Sequence, residues 1–130
     1  MGSALAVASG AAIGALLRWR LNIWLNPSSA LVSVGTLAAN LLGAYLIGLA
    51  LAWFAQRPDL SPQLRLLVVT GFLGGLTTFS TFSAEVVQQL QEGRPGAALT
   101  ATALHVAGSL ALTWLGIATF GWLRRVGGAG

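Results

Sequence analysis

An all-α membrane protein with four transmembrane helices per subunit is predicted by three features of this sequence. Its 130 residues are 55% hydrophobic and only 8% charged, with a mean hydropathy of +0.77. A water-facing domain carries about a quarter charged residues, so this chain is not built to face water. The apolar residues fall into four runs, each near the roughly 20 residues a helix needs to cross the hydrocarbon core. Short segments of turn chemistry separate the runs, which leaves room for one domain, residues 1–130, and for no extramembrane module.

The first span is expected at residues 5–25, apolar apart from Arg18 and Arg20, with Trp19 and Trp24 marking the membrane interface. It lacks a basic segment ahead of it and exceeds the length of a signal-peptide core, so it is expected to be retained. The second span, 31–54, contains no charge. The third, 65–90, carries none from 66 to 84 and is expected to be broken near its middle. The fourth, 97–123, follows Pro95 and has His105 as its one ionisable group. Between them lie Asn26-Pro27-Ser28-Ser29, then Arg57-Pro58-Asp59 with Ser61-Pro62, then Glu92-Gly93-Arg94-Pro95-Gly96.

Charge and composition exclude several functions. The seven basic residues are all Arg and, against three acids, give +4. They are scattered at the edges of the apolar runs and form no basic face, so they read as anchors to lipid headgroups and not as a nucleic-acid surface. The absence of Cys removes disulfides and thiolate metal sites. With one His and no pair of acids within a span, the chain lacks the parts for hydrolysis or redox chemistry, and no enzyme is expected.

Arg57, Arg65, Arg124 and Arg125 fall on the side of the N-terminus, and Arg18, Arg20 and Arg94 on the other. So slight a bias permits insertion both ways up and an antiparallel homodimer; an accident of counting explains it equally well. Small residues recur at helix-contact spacing: Gly10 with Gly14, then Gly35, Ala39 and Gly43, then Gly71 with Gly75. Such rows let backbones approach closely, within a subunit or between subunits.

Polar residues inside the spans are the candidates for function. Asn40 sits mid-span, where an interhelical hydrogen bond is the default reading and a donor to a crossing anion the alternative. Arg18 lies near its span's end, where snorkelling competes with a positive charge at a pore mouth. His105, Ser109 and Thr113 recur every four residues and share one helix face, as a polar track along a water or ion path would. In the third span, Gly74-Gly75-Leu76-Thr77-Thr78 combines weak helix formers into an expected break. A break in a membrane frees carbonyls that must be buried in protein or given to an ion, and hard oxygens of this kind suit sodium. Phe79 and Phe82 share a face beyond it. Aromatic ring edges are weakly positive and attract anions, although two such residues usually only pack.

The run GFLGGLTTFSTFSAE, with Arg18-Trp19 closing the first span and GTLAANLLGAYLIG in the second, resembles the small fluoride-channel family called Fluc or CrcB. The resemblance extends over nearly the whole chain. It implies a dual-topology antiparallel homodimer with two pores that exports fluoride passively across a bacterial inner membrane. It further implies a structural sodium ion at the dimer centre, held by backbone carbonyls of Gly74 and Thr77. It matches Phe79, Phe82, Asn40, Ser109 and Thr113 to the fluoride path and Arg18 to the basic residue ending the first helix. Ser80, Thr81 and Glu85 fall where polar groups of the third helix approach the pore. A small residue is expected where this chain has His105, so a bulky, titratable ring there is a departure. The rival from another class is a small dual-topology proton-coupled multidrug exporter. It requires an acid in the membrane early in the chain, and the first two spans have none. A scaffold subunit would leave Asn40, TTFSTF and the fourth-span stripe unexplained.

Overall fold

The computed structural model describes residues 1–26 and 33–128, and every regular element among them is helical. The expected turn residues Pro27, Ser28 and Ser29, and the start of the expected second span, lie outside the described residues. Helix α1 is Gly2–Leu25 and α2 is Val34–Ala55. The third span, Pro62–Gln91, divides into α3, residues 62–76, and α4, Phe79–Gln91. Helix α5 is Pro95–Gly127. Four helices, with α3 and α4 taken as one bent unit, are long and apolar enough to cross a membrane.

The starts of α2, α3 and α5 have local causes. Ser33 caps α2 by accepting from the Thr36 amide, and Ser61 caps α3 by accepting from Leu64, with Pro62 in the first turn. The α4–α5 turn reverses at Gly93, whose φ of 71° is a left-handed conformation that favours glycine. Pro95 then opens α5. Within α3, Leu66–Leu73 winds as a wide π-helix between ordinary helical turns.

Two contacts dominate the packing, α1 against α3 and α2 against α5. Both are made by glycines. A Cβ on Gly14 would overlap the Phe72 carbonyl, and one on Gly75 would lie 2.5 Å from the Ala11 carbonyl. Between α2 and α5, a Cβ on Gly48 would overlap the Thr113 carbonyl and one on Gly116 the Tyr45 carbonyl. The small-residue rows thus serve contacts inside the subunit. Leu73 and Leu76 of α3 and Ala39 of α2 form the buried centre, with Leu17, Leu21 and Leu46 packed around them. Large apolar side chains such as Ile13, Leu110, Trp114 and Trp122 stay exposed, a surface suited to lipid and not to water.

The third helix bends as expected, but the glycine pair is not where it opens. Gly74–Leu76 remains helical, and the chain turns extended at Thr77 (φ −86°, ψ 155°) and Thr78 (φ −149°, ψ 120°). Glycine weakens a helix, but Gly75 is held helical against α1 because its missing Cβ lets the backbones meet there. The threonines break the helix because partners on neighbouring helices and within α4 take up their polar groups.

Candidate functional site

The break between α3 and α4 is built by exchanging helical hydrogen bonds for tertiary ones. Thr77 keeps its helical bond, its amide 3.1 Å from the Leu73 carbonyl, and its hydroxyl donates to that same oxygen at 2.9 Å. The Thr78 amide instead donates to Asn40 Oδ1 at 2.7 Å. Asn40 Nδ2 donates back to the Thr78 carbonyl at 3.0 Å. Thr78 Oγ1 caps α4 by accepting from the Thr81 amide at 3.3 Å. In an unbroken helix the amides of Thr78 and Thr81 would bond the carbonyls of Gly74 and Thr77. The break draws both amides away from those two oxygens. Arg18 Nε donates to the neighbouring Gly75 carbonyl at 3.2 Å, placing a positive charge at the C-terminal end of α3, where the helix dipole favours it.

Beside the break lies a cavity of about 460 Å³, lined by α2, α3, α4 and α5. Asn40 and Gly43 come from α2, Gly74 and Thr77 from the break, and Phe79 and Phe82 from the first turn of α4. His105, Ser109 and Thr113 complete it from one face of α5, as their spacing of four requires. Phe82 packs edge-to-face with Phe79, centroids 5.4 Å apart and planes at 75°. On its other side it stacks on His105, 4.5 Å away at 27°. His105 Nδ1 lies 3.0 Å from Asn40 Nδ2. The cavity walls carry hydroxyls, one amide and one imidazole but no carboxylate and no Arg. Among the described residues no cluster of His, Cys, Asp and Glu could hold a metal ion.

Four of the expected residues lie outside this wall. Ser80 and Thr81 turn back onto Thr78, their hydroxyls each 3.2 Å from Thr78 Oγ1. Glu85 lies more than a turn further along α4, with Oε1 accepting from Thr36 Oγ1 at 3.3 Å. Arg18 reaches the break from its outer side, through Gly75. Sequence reasoning missed the group that receives Glu85. Asn22 of α1 and Asn26, the residue that caps its end, meet Ser33, the cap of α2, and Thr36 in its first turn in one network. Its members include Asn26 Nδ2 to Ser33 Oγ at 2.9 Å and Ser33 Oγ to Thr36 Oγ1 at 2.7 Å. The spacings of four and three put each pair on one helix face, a signal that was present. At span ends such residues also read as ordinary caps and turns, which hid it.

Four membrane-length apolar helices, a break in the third, and an uncharged, largely apolar cavity beside it with a few polar groups on its wall define a small multi-pass membrane protein. The chain belongs to the CrcB-like protein family: the family model described as CrcB-like protein, Camphor Resistance (CrcB), matches residues 5–117. It is 64% identical to the fluoride-specific ion channel FluC of Chromohalobacter salexigens, over 97% of this chain and 96% of that one. Proteins of the same description from Pseudomonas aeruginosa and Chromobacterium violaceum are each 59% identical. The first match covers 93% of this chain and 95% of the relative, the second 95% and 98%.

Proposed function

We propose that this protein is a fluoride-specific ion channel that releases fluoride passively from the cytoplasm across a bacterial inner membrane, and that it is not an enzyme. The observation that carries the reading is the likeness to FluC channels of up to 64% over nearly the whole chain, which includes every residue of the cavity. The chemistry of the cavity agrees. Fluoride is small and holds its water tightly, so a selective path must offer hydrogen-bond donors as it strips the ion. Hydroxyls, amide and imidazole do so without the full charge that would trap it. Phe79 and Phe82, packed edge-to-face on the wall, would add a weak positive field where a ring edge faces the ion. Arg18, fixed to the Gly75 carbonyl, raises the local anion concentration without standing in the path.

The functional unit of this proposal is an antiparallel homodimer, which would bring two copies of the break together. The residues present fit a structural sodium ion there. The amides of Thr78 and Thr81, the helical partners of the Gly74 and Thr77 carbonyls, are taken by Asn40 and the Thr78 hydroxyl, and hard oxygens freed in this way suit that cation. Bound there, sodium would supply a fixed positive field and satisfy the two oxygens. Proton-coupled drug export fits less well, because no acid lines the cavity and Glu85 is tied to Thr36.

The reading is tested in bacteria that lack fluoride export of their own. Expression of this chain restores growth in millimolar fluoride; failure to do so, with the protein present in the membrane, refutes it. A cysteine placed at Ser3, in a chain otherwise free of Cys, is labelled from both faces of the membrane if the dimer is antiparallel. One-sided labelling ends that part of the proposal.

A further inference from the structure

Seven arginines are spread along the chain, and the structure separates those whose charge is answered from those whose charge is not. Arg57 pairs with Asp59 and Arg94 with Glu92. Arg18 donates to the Gly75 carbonyl, and Arg20 and Arg65 lie over the rings of Trp24 and Phe54. Arg124 meets only a neutral group, its Nη1 donating to Gln56 Oε1 at 2.6 Å. Arg125 beside it has no partner among the described residues. The third acid of the chain, Glu85, is bonded to Thr36 and answers neither. Both arginines lie in the last turn of α5, whose 33 residues make about 50 Å of helix against a hydrocarbon core of about 30 Å. That turn therefore stands at headgroup level, where Trp53 and Trp122, both exposed, mark the interface.

Below these arginines the seam between α2 and α5 opens into a groove of about 550 Å³. Small residues make its floor, Ala52 and Ala55 of α2 and Gly121 of α5, with Ile117 and Phe120 along the wall. A Cβ on Gly121 would meet nothing within 4 Å, so the groove is open there. Gln56, Arg124 and Arg125 close its outer end, and no acid lines it. From Ile117 to Arg124 the helix rises about 10 Å, an apolar track several methylenes long beneath a cationic end. The last carbonyls of both helices disfavour an anion at this end, so any attraction comes from the arginines. A guanidinium offers a phosphate two parallel N–H donors, and Gln56, which orients Arg124 through its oxygen, has an amide nitrogen to add. We propose that this groove binds one anionic phospholipid, its phosphate on Arg124, Arg125 and Gln56 and the start of an acyl chain over Ala52, Ala55 and Gly121. Zwitterionic lipids and soluble phosphate share the phosphate chemistry. A zwitterionic headgroup, however, brings its own cation toward two arginines, and a soluble ion leaves the apolar floor uncovered. The proposal rests on the helices spanning a membrane and not on which ion is conducted.

Native mass spectrometry of the full-length protein, released from detergent after incubation with dioleoyl phosphatidylglycerol or dioleoyl phosphatidylcholine, counts the lipids it retains. One phosphatidylglycerol per subunit is expected, with phosphatidylcholine held about tenfold or more weakly. Arg124→Gln combined with Arg125→Gln is expected to weaken phosphatidylglycerol binding about tenfold or more and to abolish the preference. Arg57→Gln combined with Arg65→Gln removes the same charge from the same end of the molecule and is expected to retain it. Gly121→Leu fills the groove, leaves both arginines and is expected to weaken phosphatidylglycerol binding as well. Equal losses in the two arginine pairs would reduce the attraction to diffuse surface charge, and unaltered binding in Gly121→Leu would remove the groove from it. Displacement of the lipid by millimolar inorganic phosphate would assign the arginines to a soluble ion. Each of these three results overturns the proposal and leaves the fluoride-channel reading, which efflux decides, where it stands.

Discussion

Asn40 and Thr78 form a closed pair across 38 residues of sequence, the amide oxygen accepting the Thr78 N–H at 2.7 Å and the amide nitrogen donating to the Thr78 carbonyl at 3.0 Å. One side chain on α2 thus replaces both bonds that a neighbouring strand would give an extended residue. It is what allows two threonines to leave helical geometry where no water can satisfy them. The cavity, the carbonyls of Gly74 and Thr77 and the orientation of His105 all depend on it.

Asn40→Asp keeps the acceptor for the Thr78 amide but sets an oxygen against the Thr78 carbonyl and His105 Nδ1. Loss of two buried donor contacts is expected to destabilise the protein by about 2 kcal/mol or more. Thermal unfolding in detergent, followed by circular dichroism, measures it. A variant as stable as wild type would show that the pair does not hold the break.

Glycines at the two main helix contacts should be intolerant of a single methyl group. Gly75→Ala and Gly48→Ala each drive a Cβ into a facing backbone carbonyl and are expected to cost about 1–3 kcal/mol or to prevent folding. Gly121, in the same long helix as Gly116, has nothing near its missing Cβ. Gly121→Ala is therefore expected to gain up to about 1 kcal/mol from helix propensity. Equal behaviour of the three variants in the same unfolding assay contradicts this packing.

The two phenylalanines should separate stability from transport. Phe79 is 76% exposed in the subunit and Phe82 only 7%. Phe79→Ile is expected to leave stability near wild type, whereas Phe82→Ile loses its contacts with both Phe79 and His105, about 1–3 kcal/mol. Both are expected to cut fluoride efflux. Normal efflux in both variants eliminates the ring edges from the path.

Thr36 and Glu85 lie 49 residues apart in sequence and join α2 to α4 through a 3.3 Å hydrogen bond. A double-mutant cycle with Thr36→Val and Glu85→Leu, each of which removes the bond, is expected to give a coupling of about 1 kcal/mol, within the range of hydrogen bonds inside membrane proteins. Strict additivity would mean that the contact contributes nothing to holding α4.

The sequence showed four apolar helices and a bend in the third because hydropathy and helix weakness are local properties. It likewise showed that His105, Ser109 and Thr113 share a face, since a spacing of four is fixed by helix geometry. The position of the bend was less legible. Gly74 and Gly75 weaken the helix, but a contact with Ala11, more than 60 residues earlier, keeps that turn wound. Asn40, from another helix, draws out Thr78 in its place. Nor could the sequence reveal that the Asn40 amide is occupied on three sides, because both of its partners are distant in the chain. The network of Asn22, Asn26, Ser33 and Thr36 around Glu85 was hidden for another reason. Its members are the residue types that cap helices and make turns, and only the fold assembles them.

The central claim is selective, passive fluoride conduction, and efflux from liposomes tests it most directly. Purified protein is reconstituted into vesicles loaded with potassium fluoride or potassium chloride. Valinomycin carries the compensating potassium, and ion-selective electrodes record release. The account predicts rapid loss of fluoride, its arrest when valinomycin is omitted, and retention of chloride. Fluoride held inside vesicles that contain folded protein, or chloride released as quickly as fluoride, would contradict it.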